Sequence, residues 1–576
     1  MTRTRSPNLP PCPTIVQWEK AGASLVTALK DYMGLCLDLG TDSMREGAES
    51  KDLVSRVDST LATVHTAMSH HLNQSNSALA RTRNKLAAPF FRLPEEITSE
   101  IFANVVFDHS DPTSSSLRSL EHDGRMIYRR VYSLLGTCSV WRDLILARGA
   151  LWSVIPIIEN RFDKKHKAVK RILQRAGGSI LHLAASMTWR TPKRLTKVIN
   201  EYGPRLHTAN ISAISRHVIR EAIDNLLQHD TRLSLSELSI QLGNASIMNY
   251  RIPVESDFLI SRGHSQYASF ARLIEKLMVF RISGIHIHWD TIAFSTRLVE
   301  LRIEQVAVGY DTAIVPFVRA LSSAPNLRDM KIISVSTFCD LDATDEQNSS
   351  APITFPNLES LFLRDLYFNT LEHLLPAISP GSYCLTLFLT RKSLEANVTR
   401  DAPEDEAEDF EPELVDVGEL GSVLVQTRVD TLMLSGVWDG CWLTGPEIRT
   451  LLYSIPSVKT LKMDNWDLDQ AIWRALRRSP AARYHPEDLW FPALENLHLC
   501  RANILNQRGL KNMVTSHPIQ RMVLGAAHTD IKQGLSEWLC DDDSIVTWFK
   551  ANIPAFHLVK STYQPPEFRS HVWQLW

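Results

Sequence analysis

The sequence lacks most of the marks of a secreted, membrane-spanning or nucleotide-using protein. Its eight cysteines, at 12, 36, 138, 339, 384, 441, 500 and 540, lie far apart and form no Cys-x-x-Cys pair. That spacing argues against a disulfide framework or a zinc module and for free, buried thiols. No stretch approaches about 18 uninterrupted apolar residues, and the opening MTRTRSPNLPPCP has no apolar signal core, so cytosol or nucleus is the expected location. A net charge of -2 and a pI near 6.9 give no pull towards nucleic acid or an acidic membrane. Gly-x-Gly-x-x-Gly, Gly-x-x-x-x-Gly-Lys-Ser/Thr and Gly-x-Ser-x-Gly are all missing, and with them any support for nucleotide or acyl chemistry. His286 and His288 have no third ligand at useful spacing and read as surface histidines. Cys138 has no companion base. No catalytic residue, metal or cofactor is expected.

What is present begins at Leu93-Pro94-Glu95-Glu96-Ile97. Proline is tolerated at the first helical position, and acidic residues there complement the helix dipole, so Pro94 marks a helix start. Ile97, Ile101, Phe102 and Val105 then recur on one helical face. After a polar stretch from His109 to Tyr128, the residues Val131, Leu134, Leu135, Cys138, Trp141, Leu144 and Ile145 repeat the same period, predicting a second amphipathic helix. Leu151-Trp152 and Val154-Ile155 close the unit with a short apolar run.

Taken in order, Leu93-Pro94, Glu96-Ile97 through Glu100-Ile101-Phe102, Cys138-Ser139-Val140-Trp141-Arg142 and Leu151-Trp152 resemble the F-box, in the F-box-like form common in fungal proteins. That helical module attaches substrate receptors to SCF-type ubiquitin ligases. The resemblance covers about a tenth of the chain, and residues 109–128 depart from it by being longer and more polar than the family's link. It implies that Leu93, Pro94, Ile97, Ile101, Leu135, Cys138 and Trp141 form or support a face for a Skp-family adaptor, and through it a cullin.

Ahead of the module, Leu53, Val57, Leu61, Val64, Met68, Leu72, Ser75, Leu79 and Leu86 step by threes and fours along a helical arm. A coiled-coil dimer is one reading. The stripe includes Ser75 and lacks paired flanking charges, which favours a helix packed on its own chain. Trp18 to Leu39 reads as a shorter helix, and residues 1–13, with four prolines, as disordered.

The larger share of the chain carries a recurring apolar-x-x-apolar-x-apolar spacing. It stands at Leu235-Leu238-Ile240, Ile282-Ile285-Ile287, Leu298-Leu301-Ile303, Leu327-Met330-Ile332 and Leu358-Leu361-Leu363. It continues at Val429-Leu432-Leu434, Val458-Leu461-Met463, Leu494-Leu497-Leu499 and Ile519-Met522-Leu524. Steps of 29 residues from Leu298 to Leu327 and 31 from there to Leu358 suit stacked strand-plus-helix units. Weaker copies at Leu181-Leu183, Leu206-Ala209-Ile211 and Leu385-Leu387-Leu389 extend the array to about twelve. The pattern resembles degenerate leucine-rich repeats, a solenoid of one parallel sheet backed by helices, although the consensus asparagine is mostly missing.

The expected fold class is therefore α/β. Residues 1–13 form a disordered start, 14–88 the arm, 89–158 the F-box-like module with its insertion at 109–128, and 159–176 a connecting helix. Residues 177–576 form the solenoid, interrupted by a polar insertion at 340–351 and an acidic one at 401–413. Both insertions read as solvated loops. An F-box followed by such repeats implies a non-catalytic substrate receptor whose sheet holds a client protein. Arg302, Lys331, Lys462 and His498, lying between the repeat leucines, are the candidate client contacts. The runner-up is a repeat scaffold that binds partners without ubiquitin transfer. The aromatic tail, from Trp548-Phe549 to Trp573 and Trp576, reads either as a cap on the last repeat or as a binding peptide.

Overall fold

A computed structural model describes residues 12–87, 89–107, 120–158, 166–189, 193–228, 234–243, 251–339, 351–398, 413–436, 440–478, 491–530 and 535–568. The chain divides into two compact units, Met1–Thr98 and Ser99–Trp576.

The first unit holds the arm. Helix α1 (Pro13–Arg45) starts on a proline, and α2 (Ser50–Thr60) runs through a π-helical turn, Leu61–His65, into α3 (Thr66–Ala87). The first helix is longer than the Trp18 to Leu39 stretch marked by the sequence, running on through Gly40-Thr41-Asp42-Ser43 with no proline to stop it. None of these helices buries a residue. Leu61, Val64, Leu72 and Leu79 of the predicted stripe are all exposed. Tyr32 Oη and His65 Nε2 lie 3.5 Å apart where α1 passes the π turn.

The second unit is built on one long sheet. Thirteen strands run parallel in chain order: β1 (Val154–Ile158), β2 (Leu181–Met187), β3 (Leu206–Ala213), β4 (Glu237–Leu242), β5 (Val279–Ser283), β6 (Glu300–Glu304), β7 (Asp329–Ile333), β8 (Ser360–Arg364), β9 (Cys384–Leu389), β10 (Val429–Ser435), β11 (Thr460–Asp464), β12 (Asn496–Ile504) and β13 (Arg521–Asp530). At the far edge β14 (Leu535–Trp538) pairs antiparallel and β15 (Ala555–Leu558) parallel, both with β13. Parallel neighbours need a crossover between them, and helices such as Phe368–Ala377, Gly445–Ser454 and Gln507–Thr515 supply it.

The repeat leucines explain the register. Ile240, Ile282, Ile303, Ile332, Leu363 and Leu387 are direct cross-strand partners, and the line continues through Leu432, Leu461, Leu497 and Met522. All are buried. Their i±1 neighbours point to the opposite, open face.

A second regularity has no residue signature. Gln305, Ser334, Asp365 and Asn465 each follow a strand and adopt left-handed backbone, with φ of 53°, 46°, 54° and 59°, as does Gly284 at 67°. Each of these N–H groups donates to a carbonyl of the following strand, in the first four cases at its end: Gly284 to Glu304 O at 2.8 Å, Gln305 to Ile333 O at 2.9 Å, Ser334 to Arg364 O at 2.8 Å, Asp365 to Phe388 O at 3.1 Å and, in the middle of β12, Asn465 to Cys500 O at 2.9 Å. The turn is thus satisfied by its neighbour rather than by itself.

Four expectations change. Val154–Ile158 opens the sheet instead of closing the helical module, so the array starts before residue 177. The helix expected across 131–145 is two, α5 (Leu120–Leu135) and α6 (Ser139–Ala147) in a numbering where α4 is Glu95–Phe107, because the chain turns at Gly136-Thr137. The supposed insertion 109–128 is helical from Leu120 onward. The repeat at Ile282-Ile285-Ile287 is out of register: the strand is Val279–Ser283, ended by left-handed Gly284. Residues 1–11, 108–119, 340–350, 399–412 and the terminal Trp573 and Trp576 lie outside the described residues.

Candidate functional site

Helix α4 carries the first candidate surface. Successive residues advance by about 100°, so Ile97, Ile101 and Val105 share one face, and they are 49%, 37% and 44% exposed. Leu93, just before the helix, is 40% exposed, and Pro94 is exposed too. Phe102, which the spacing groups with that stripe, instead turns away from it with Val106, and both are buried. The Phe102 ring meets Trp141 edge-on with centroids 4.9 Å apart, an arrangement favoured by aromatic quadrupoles. Arg130 Nη1 donates to Val106 O at 3.3 Å, where the helix would leave a carbonyl open.

The remaining predicted residues are support rather than surface. Leu135 is the half-buried last residue of α5, and Cys138 sits half-buried as the residue before α6, outside any helix. Trp141 is half-buried against Phe102. The exposed apolar side chains of α6 are Val140 and Leu146, and neither was selected from the sequence.

Leu151-Trp152 joins this helical group to the sheet. Trp152 Nε1 donates to Ile145 O at 2.9 Å, and the Arg175 guanidinium lies 4.3 Å from the Trp152 ring centre. Tyr128 Oη donates to Val154 O on β1. A Cβ added to Gly124 of α5 would stand 3.6 Å from Pro156 Cβ on β1, so α5 lies against the open face of the first strand.

The open face is the second candidate surface, and it has two halves. Across β5 to β7 the partners Arg281, Arg302 and Lys331 form a basic row. Each is answered by an acid: Arg281 grips Glu300 at 2.7 and 2.9 Å, Arg302 meets Glu304 at 2.9 Å and Lys331 meets Asp329 at 2.8 Å. Burial alone would raise the Glu300 carboxyl, but the Arg281 contact outweighs it and holds the group below its ordinary value. Across β8 to β12 the row reads Arg364, Phe388, Met433, Lys462 and His498. Burial, with Lys462 and Arg521 adding to it, pushes the His498 imidazole down to about 4.

Arg302, Lys331, Lys462 and His498 therefore do occupy the open face, yet they are not equivalent. Arg302 and Lys331 are neutralised within their own strands. Lys462 is taken by Glu567 of the tail at 2.9 Å. Phe388 and Met433, which the repeat pattern gave no reason to select, are buried there. His286 and His288 correct the surface reading: both are buried past Gly284, and His288 stacks on Phe258 with centroids 3.9 Å apart.

No family model and no curated protein matches the chain. Among solved structures, one titled as the crystal structure of a TLR13-ssRNA13 complex aligns with a TM-score of 0.28 and 14% identity. The alignment covers 59% of this chain and 48% of that one, so the chain spans about half of its length. At that score the likeness carries no weight for fold detail or function. Among the described residues no helix is long and apolar enough to cross a membrane.

Proposed function

We propose that this chain is the substrate receptor of an SCF-type ubiquitin ligase, with an F-box-like module docking a Skp-family adaptor and leucine-rich-repeat-like units holding a client. The observation that carries the reading is the α4 stripe. Ile97, Ile101 and Val105 stay exposed while Phe102, on the other side of the same helix, is locked under Trp141. A short helix that buries one apolar face and still presents three branched aliphatics on the other is built to meet an apolar partner. The Leu-Pro start, the Cys-x-x-Trp-Arg element and the Leu-Trp joint follow in the order the family requires. Leu-Trp then fixes the module to the first strand, which is the coupling an adaptor-tethered receptor needs. The chain's part in catalysis would be to present a client lysine to an enzyme borne elsewhere, which is proximity rather than chemistry.

The test uses purified full-length chain and a purified Skp-family adaptor in size-exclusion chromatography and calorimetry. The wild type is expected to form a one-to-one complex, and Ile101→Asp with Val105→Asp to weaken it by about a hundredfold or more, as two truncated anchors would. A folded wild type that binds no such adaptor sinks the ligase reading. The alternative, a repeat scaffold without ubiquitin transfer, would then stand.

A further inference from the structure

The chain's last described segment leaves β15 and returns over the open face of its own sheet. Its path is specified by contacts from several strands. A Cβ on Gly525 of β13 would come within 2.8 Å of Val559 Cγ2, so the segment starts pressed against a residue with no side chain. Gln564 Nε2 donates to Asp464 Oδ2 on β11 at 2.9 Å. Pro565 and Pro566 follow, suppressing regular hydrogen bonding and keeping the chain extended into a single turn, Pro566–Phe568.

The segment ends on two anchors. Glu567 places its carboxylate on Lys462 Nζ at 2.9 Å, while its backbone carbonyl accepts from Arg364 Nη1 at 3.1 Å. Burial raises the Glu567 carboxyl, yet Lys462 and the hydrogen bonds bring it below its ordinary value, so it stays charged in place. Phe568 is buried with Phe388 and Met433, meeting Phe388 edge-on at 5.1 Å between centroids, and Phe362 packs against the cluster. The Arg364 guanidinium covers the other part of Phe388, 4.7 Å from its centre.

Phe388 and Met433 are cross-strand partners that form an apolar floor on the face opposite the repeat leucines, flanked in the same row by Arg364 and Lys462. We propose that this part of the open face is a peptide-binding site for an extended segment carrying an acidic residue directly followed by an aromatic one, and that the tail's Glu567-Phe568 is its resident, intramolecular occupant. A client or regulator with the same acidic-aromatic pair binds by displacing the tail. Tethering presents the tail at an effective concentration in the millimolar range, so the site is closed by default and opens to partners that outcompete it.

The experiment measures fluorescence anisotropy of a labelled synthetic peptide, Tyr-Gln-Pro-Pro-Glu-Phe-Arg-Ser, copied from residues 563–570. It is titrated with the full-length wild type and with the full-length double variant Glu567→Ala/Phe568→Ala. The double variant is expected to bind the peptide about tenfold or more tightly than the wild type does, the factor a millimolar tethered competitor imposes. Replacing the peptide's Phe by Ala, or Met433 by Lys in the double variant, abolishes binding. Lys462→Glu in the double variant loses the peptide, and a peptide with Lys in place of Glu recovers it. Equal affinity in wild type and double variant, or no binding to a double variant whose circular dichroism matches the wild type, overturns the proposal. Should the double variant fail to fold, the charge swap Lys462→Glu with Glu567→Lys in one chain decides: a thermal midpoint no higher than that of either single variant overturns it. No adaptor enters these measurements, so their failure leaves the ligase reading standing, and the converse holds.

Discussion

The two halves of the open sheet face, on neighbouring strands of one sheet, satisfy their outward side chains in opposite ways. Across β5 to β7 the outward row Arg281, Arg302 and Lys331 is charged and answered by acids of the same or the next strand, as Arg281 is by Glu300 and Arg302 by Glu304. Across β8 to β11 the corresponding row turns apolar at Phe388 and Met433, and the tail covers it. A charged row satisfied within the sheet has little left to offer a partner, because each cation would have to exchange one ion pair for another. An apolar row has nothing inside the sheet to meet it and must take its cover from elsewhere. The difference shows that the position between two repeat leucines is not a binding position by default; what fills the neighbouring strand decides.

The sharpest way to break this contrast is to shave both halves alike. Met433→Ala is expected to cost about 2–5 kcal/mol in denaturant unfolding, the penalty of a core site, because the side chain is fully buried in the cluster it forms with Phe388 and the tail's Phe568. A cost near zero would mean that the tail does not stay on the face. A pH series comes next. His498 is held down to about 4 when folded, against about 6.5 for an unfolded histidine. The unfolded chain therefore takes the proton first. The stability this site contributes is complete above about pH 6.5 and is lost as pH falls from there towards 4. The thermal midpoint of His498→Gln should fall less steeply over that window than the wild type's. His182 and His286, also held near 4, contribute the slope that remains in both.

Glu567→Ala should cost about 1 kcal/mol, since its side chain is partly exposed and the ion pair with Lys462 is screened. The smallest effect belongs to the other half. Lys331→Ala is expected to stay within about 0.5 kcal/mol of the wild type, and a loss as large as that of Met433→Ala would erase the distinction between the halves.

Much of this architecture could be read from residue spacing. Leu361-Leu363, Leu432-Leu434 and Leu461-Met463 mark their strands because each is buried on one face of an extended backbone, a constraint that writes itself into alternation. The same rule fails at Ile285 and Ile287, which alternate as a strand does but lie past Gly284, in a loop that is buried without being extended in the sheet. Val154–Ile158 was missed because five apolar residues after Leu-Trp look the same as the end of a helical module. Among the docking residues, Ile101 shows its exposure through helical phase, whereas spacing alone leaves open whether Trp141 forms the face or supports it, and its contact with Phe102 makes it support. The tail's landing place was not legible at all. Glu567 and Phe568 sit more than 100 residues from Lys462 and Phe388, and nothing local in either segment names the other.

The left-handed turns after the strands have a further consequence, for how such a chain can grow. Each turn hands its N–H forward to a carbonyl of the next strand, so the short stretch from strand to turn is measured against a neighbour. The return journey is not measured at all. Ser360 to Cys384 takes 24 residues and Cys384 to Val429 takes 45, yet the strands meet in the same register lines. New sequence can therefore enter on the way back without disturbing the ladder, and the polar and acidic stretches at 340–351 and 401–413 both fall in such return segments. The chain behaves like a ruler with elastic between its marks: rigid where neighbours read each other, and free to acquire new content everywhere else.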